Sequence, residues 1–231
     1  MRGAIVLVIL PLVVCTSAAA SSGATPLPTS YLFGPNGVAT PLQAGVTYQA
    51  NRSFPIPVRI TPPDASWSGA QWRTSAHGEH SKKAPFFGWA DVEQGSPQKG
   101  APPHGALTIT TSFMRTRSAV AIAKYLRTRG HGATYGASTP VRVAGFSGVQ
   151  FDGTIEAKEH AFIPFTPQSR SARWYGDAFF VGKGTVFRMI VLQVRTKAVV
   201  IYFDNGALTI DEFPAFVTKA STILSTLRFP K

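Results

Sequence analysis

The chain has 231 residues, with 23 Lys and Arg against 11 Asp and Glu, a formal net charge of +12 at neutral pH. So basic a balance favours anionic surroundings: lipid headgroups, phosphate-bearing wall polymers or nucleic acid. One cysteine, Cys15, excludes an internal disulfide framework and any zinc site built from several thiolates.

The first twenty residues read as a secretory signal. Arg2 precedes an apolar run, Ala4 to Val14, broken only by Pro11, and the small residues Ser17 to Ala20 follow. The run is too short to span a bilayer as a helix, which takes about 20 apolar residues, and no later stretch comes near that length. Ala18 and Ala20 supply the small −3 and −1 side chains of a cut after Ala20. A second cut is open. Leu12 and Cys15 resemble a lipobox, which would leave a lipid-bearing cysteine, but Val14 stands where that motif wants a small residue and crowds the peptidase. Release is therefore preferred to anchoring at Cys15. It leaves no thiol and, with only Arg2 lost, a net charge of 12 − 1 = +11. Export also removes nucleic acid as a physiological partner.

Residues 21–44 are rich in Gly, Pro, Ser, Thr and Ala and read as a flexible spacer, with a single domain from 45 to 231. Short strands are expected at Val46–Gln49 and Ile56–Ile60, then a turn at Pro62-Pro63-Asp64, since neither proline can donate to a ladder. Trp67–Arg73 and Phe86–Val92 read as strands on either side of a polar loop, and Leu107–Phe113 alternates cleanly. A helix should follow and end at Gly130. With Arg117 at zero and steps of about 100°, Ile122, Leu126, Ala119 and Ala123 gather on one side, with Arg117, Lys124 and Arg127 opposite. Val141–Val143 and Gly148–Glu156 read as a hairpin through Gly145-Phe146-Ser147-Gly148. Phe187–Val194 and Ala198–Phe203 form a second around Arg195-Thr196-Lys197, apolar enough for the sheet centre. Phe213, Phe216, Val217, Ala220, Ile223, Leu224 and Leu227 then trace an unbroken helical stripe, with Asp211 as its cap and Pro214 harmless in the first turn.

The resulting fold class is α+β: a mostly antiparallel sheet with two amphipathic helices packed on it. Residues 107–229 resemble the PsbP-like fold shared with secreted bacterial lipoproteins of the LpqN type. The resemblance is carried by Val141-x-Val-Ala-Gly-Phe-Ser-Gly, the hairpin Phe187–Phe203, and the last helix running into Ser225-Thr226-Leu227-Arg228-Phe229. It implies a PsbP-like sandwich with a small ligand or partner on the sheet. It brings no catalytic residues, and it leaves Gly45 to Val92 unexplained.

Few motifs suggest chemistry. His77-Gly78-Glu79-His80 has two imidazoles at spacing three in a polar loop, where the zinc-protease motif needs spacing four on a helix. His104, His131 and His160 add nothing that demands a metal or any other cofactor. Gly145-Phe146-Ser147-Gly148-Val149 lacks the last glycine of the hydrolase elbow and sits in a strand–turn–strand context. Gly182-Lys183-Gly184-Thr185 precedes a strand and reads as a turn, not a phosphate loop. Asp91 with Glu93, and Asp152 with Glu156, share strand faces, but sequence cannot place them across a glycosidase cleft. Trp67, Trp72 and Trp89 suit a core better than a sugar groove.

The strongest surface signal is basic. Arg115, Arg117, Lys124, Arg127 and Arg129 have no acidic residue between them and are the anion-binding candidates. These observations predict an exported, extracytoplasmic, non-enzymatic binding protein meeting anionic lipid, a wall polymer or an envelope protein. The alternatives are a hydrolase of envelope glycans or esters and an accessory subunit of an envelope complex.

Overall fold

The computed structural model describes residues 23–31, 40–50, 56–73, 86–91, 105–111, 118–129, 132–161, 180–206 and 208–231. The leader, with Cys15 and both candidate cuts, lies outside them. So do His77-Gly78-Glu79-His80, Glu93, His104, Arg115, Arg117 and His131.

The described chain is mostly sheet, with two helices. Its central strands are β8 (Gly105–Thr111), β11 (Phe146–Ile155), β14 (Val186–Val194) and β15 (Lys197–Asp204). On one side the sheet continues from β8 to β7 (Phe86–Asp91), β6 (Trp67–Arg73) and β2 (Thr29–Tyr31). On the other side, beyond β11, it ends in β9 (Ala133–Tyr135) and β10 (Thr139–Val143), which share one edge of that long strand. Most pairings are antiparallel; β2 on β6 is parallel. The pair β14–β15 sits mid-sheet, as its apolar runs predict, and every residue of β15 after Lys197 is buried.

Alternation along these strands makes two cores. Met189, Val191, Ala198, Val200 and Tyr202 point to one face with Phe151 and Ile155, and the buried side of α1 (Ala119–Arg129) covers them. Ile190, Leu192, Val199, Ile201 and Phe203 point to the other, where they pack with Leu107, Ile109, Trp67 and α2 (Phe213–Ser225). Both helices bury the residues their periodicity selects: Ala119, Ile122, Ala123 and Leu126 in α1, and all seven of the stripe from Phe213 to Leu227 at α2. Each large apolar side chain buried this way contributes about 1.5–3 kcal/mol, and that gain holds such short helices in place.

Three expectations need correction. Part of the stretch 21–44 packs with the domain. Within it, β1 (Thr25–Pro26) pairs with β4 (Tyr48–Gln49), while β2 and β3 (Thr40–Pro41) pair with β6. Leu27 and Leu42, 2% and 3% exposed, join the α2 core; two leucines suffice to anchor a segment whose overall composition suggests a linker. The first hairpin turns earlier than expected, at Ala144-Gly145, where φ is 51° and 84°, the two left-handed residues of a tight turn. Gly148 is instead a strand residue, and it is glycine because a Cβ there would lie 2.1 Å from the Val191 carbonyl oxygen. Finally, Glu212 and not Asp211 takes the cap position of α2, in a helical backbone conformation without a side-chain cap bond. Its carboxylate accepts from Thr209 N and Oγ1 instead, both at 2.8 Å, which closes the turn before the helix.

Candidate functional site

Where β9 gives way to β10, residues 136–138 leave the edge of β11, held there by Gly136 N–H donating to the Asp152 carbonyl at 2.8 Å. Helix α1 lies across the same strand. Between helix and edge runs an open groove of about 550 Å³, within the roughly 300–1,000 Å³ range of small-molecule sites. Val120, Ala123, Lys124, Arg127 and Thr128 form its helix wall. Ala133, Tyr135 and Ser138 form the opposite wall, and Val149 of β11 completes the lining.

The helix wall follows from spacing. Positions 120, 124, 127 and 128 form a second stripe beside the buried one, with Ala123 common to both. Arg127 lies only about 40° round the helix from Ala123. It thus flanks the core stripe and is not opposite it, which turns it towards the sheet edge. There its guanidinium donates to Ser138 Oγ at 2.6 Å. Neither Lys124 nor Arg127 has a carboxylate partner among the described residues, whose one salt bridge joins Arg188 to Asp152. Val120, one turn before Lys124, is 65% exposed, one of two large apolar side chains so exposed among the described residues.

Tyr135 forms the inner part of the lining. Its ring meets Phe151 and Phe187 edge-on, each at 5.8 Å between centroids. Its hydroxyl is buried without a hydrogen-bond partner. Burial pushes the phenol up to about 12, so it stays neutral at physiological pH and does not offset the two cations.

Of the five basic candidates, Lys124 and Arg127 come together at this groove. Arg115 and Arg117 lie outside the described residues, as does the side chain of Arg129, the last residue of α1. Ser147 is an exposed strand residue opposite Arg142 in the β10–β11 ladder, a strand–turn–strand setting. Gly182-Lys183-Gly184 is a turn that closes β13 (Phe180–Gly182) and leads into β14. Asp152 gives both carboxylate oxygens to Arg188, at 2.7 and 2.8 Å, and Glu156 falls just past the end of β11. Trp67 is fully buried against Phe216, while the side chains of Trp72, Trp89 and His160 lie outside the described residues.

The sequence reading missed the groove's apolar half: Val120, Ala133, Tyr135 and Val149. Only Val120 gave a signal, as an apolar residue off the core stripe among basic neighbours. It also passed over Asp204. This acid ends the apolar run of β15 and is buried on the α1 face, two residues beyond Tyr202. Burial pushes its carboxyl up to about 6, against the lowering effect of the Gly206 N–H and the Tyr202 hydroxyl.

No protein-family model matches the chain, and no curated protein does. Two solved structures resemble it weakly. The solution structure of cyanobacterial PsbP (CyanoP) from Synechocystis sp. PCC 6803 is 10% identical, covering 85% of this chain and 96% of that one with a TM-score of 0.42. The crystal structure of LpqN, involved in cell envelope biogenesis of Mycobacterium tuberculosis, is 14% identical, covering 80% of this chain and 91% of that one with a TM-score of 0.31. The resemblance to PsbP-like and LpqN-type proteins is therefore present, and it is weak.

Proposed function

We propose that the chain is an exported binding protein without catalytic role, built as a PsbP-like sandwich, that takes an anionic ligand of the cell envelope into the groove between α1 and the β9–β10 edge. The carrying observation is the pair Lys124 and Arg127, two cations on one wall of a concave site with no carboxylate partner among the described residues. A phosphate or carboxylate there would gain charge-assisted hydrogen bonds from a guanidinium already oriented by Ser138. The described lining has no acidic residue and no histidine, the side chains that most often act as general bases, so what it offers is chiefly binding groups. A basic chain behind a secretory leader agrees with an anionic envelope target.

The test is calorimetric titration with butyl phosphate at low and high salt. Wild-type protein should bind, and binding should weaken as salt screens the charges. Lys124→Glu with Arg127→Glu should abolish it while leaving the circular dichroism spectrum unchanged, since both side chains are exposed. Equal affinity in the folded double variant would exclude the groove as the anion site.

A further inference from the structure

Charge accounts for only part of this groove. We infer that its ligand is a single-chain anionic amphiphile, with its head at Lys124 and Arg127 and its alkyl chain along Val120, Ala123 and Val149. The inference rests on the groove being the anion site and adds the nature of what the anion is attached to.

A site for a bare anion or a hydrophilic polymer would be lined with polar side chains throughout. Here polar and apolar lining is divided along the helix. From Val120 to Arg127 the axis runs about 10 Å, from an apolar end to a cationic one. Val120 is left 65% exposed, although an alanine or a polar residue would serve a solvated helix face better. Its exposure beside Ala123, at the end of the groove where Val149 lies, extends the apolar lining to the mouth. Apolar lining with a few convergent polar groups is the usual make-up of a small-molecule site, and the adjacent cations, without a carboxylate partner among the described residues, favour an anionic occupant over a neutral one.

The experiment compares butyl, hexyl and octyl phosphate in monomeric solution, below micelle formation. A methylene transferred fully from water tightens binding about fourfold. Going from butyl to octyl should therefore tighten it about 200-fold if the chain is fully covered, and about 15-fold if it is half covered, as suits an open groove. Val120→Asn, a change at an exposed position, should reduce that gain. If butyl and octyl phosphate bind alike, the chain has no site and this inference fails, with the anion site intact. If neither binds, the anion site fails with it. A third arm uses phosphatidylglycerol vesicles. Tight binding to vesicles without a chain-length gain in monomeric ligand would overturn the single-chain assignment in favour of a bilayer surface.

Discussion

Replacing Asp204 by Asn should make the protein more stable at pH 8 and no more stable below pH 4. The carboxyl is buried at the end of β15, and burial raises its pKa from the ordinary 3.8 to about 6. At about 1.36 kcal/mol per pKa unit, ionising it in the fold costs about 3 kcal/mol more than ionising it in the unfolded chain. The sign follows from linkage. The folded pKa is the higher one, so the folded state holds the proton more tightly. The stabilising contribution is whole below about pH 4 and lost as pH rises through about 6. Asn cannot ionise, and its carbonyl can still accept the Gly206 N–H that Asp204 Oδ1 accepts at 2.9 Å. That bond weakens when its acceptor is neutral, so 3 kcal/mol is a ceiling. Urea unfolding of both proteins between pH 3.5 and pH 8 reads the effect, and contributions from other titrating groups cancel in the difference. The stability of the variant relative to wild type should climb across pH 4 to 6. A difference that stays flat with pH would refute the reasoning, whatever its absolute size.

Two contrasts test the packing directly. Gly148→Ala should destabilise the protein by about 3 kcal/mol or more, because its Cβ would sit 2.1 Å from the Val191 carbonyl oxygen and 2.9 Å from Leu192 Cα, both backbone atoms of the neighbouring strand. Gly145→Ala, with no atom within 4 Å but φ at 84°, should cost only about 1–2 kcal/mol; similar losses for the two would contradict the account of the hairpin. Tyr135→Phe removes a buried hydroxyl that has no partner and should raise stability by about 1 kcal/mol. A clear loss in thermal midpoint would mean that the hydroxyl is satisfied in solution.

The sequence made some parts of this molecule legible because one physical rule governed them alone. The stripe from Phe213 to Leu227 and the four buried positions of α1 are pure periodicity, and all are buried. The β14–β15 pair was recognisable as central because a strand covered on both faces has no reason to alternate. Local composition misled where tertiary contact overrode it. Leu27 and Leu42 pack into the α2 core from a stretch otherwise made of linker residues. Gly148 looked like a turn glycine, when its lack of a side chain serves close approach to β14. At the candidate site, the charges were readable and the shape was not. Lys124 and Arg127 stood out by type, but the groove needs the 136–138 step between β9 and β10, a tertiary feature with no sequence period. Asp204 escaped notice because an acid at the end of an apolar strand looks like a surface terminus until the neighbouring elements cover it.

The most direct test of the central claim is an amide-resolved NMR titration of the protein with butyl phosphate. If the groove is the anion site, shifts will concentrate at residues 120–128 of α1, at 133–138, and at Val149, and will vanish in the Lys124→Glu, Arg127→Glu protein. Shifts centred elsewhere, for instance on α2 at the opposite face of the sheet, or an identical pattern in the double variant, would contradict it.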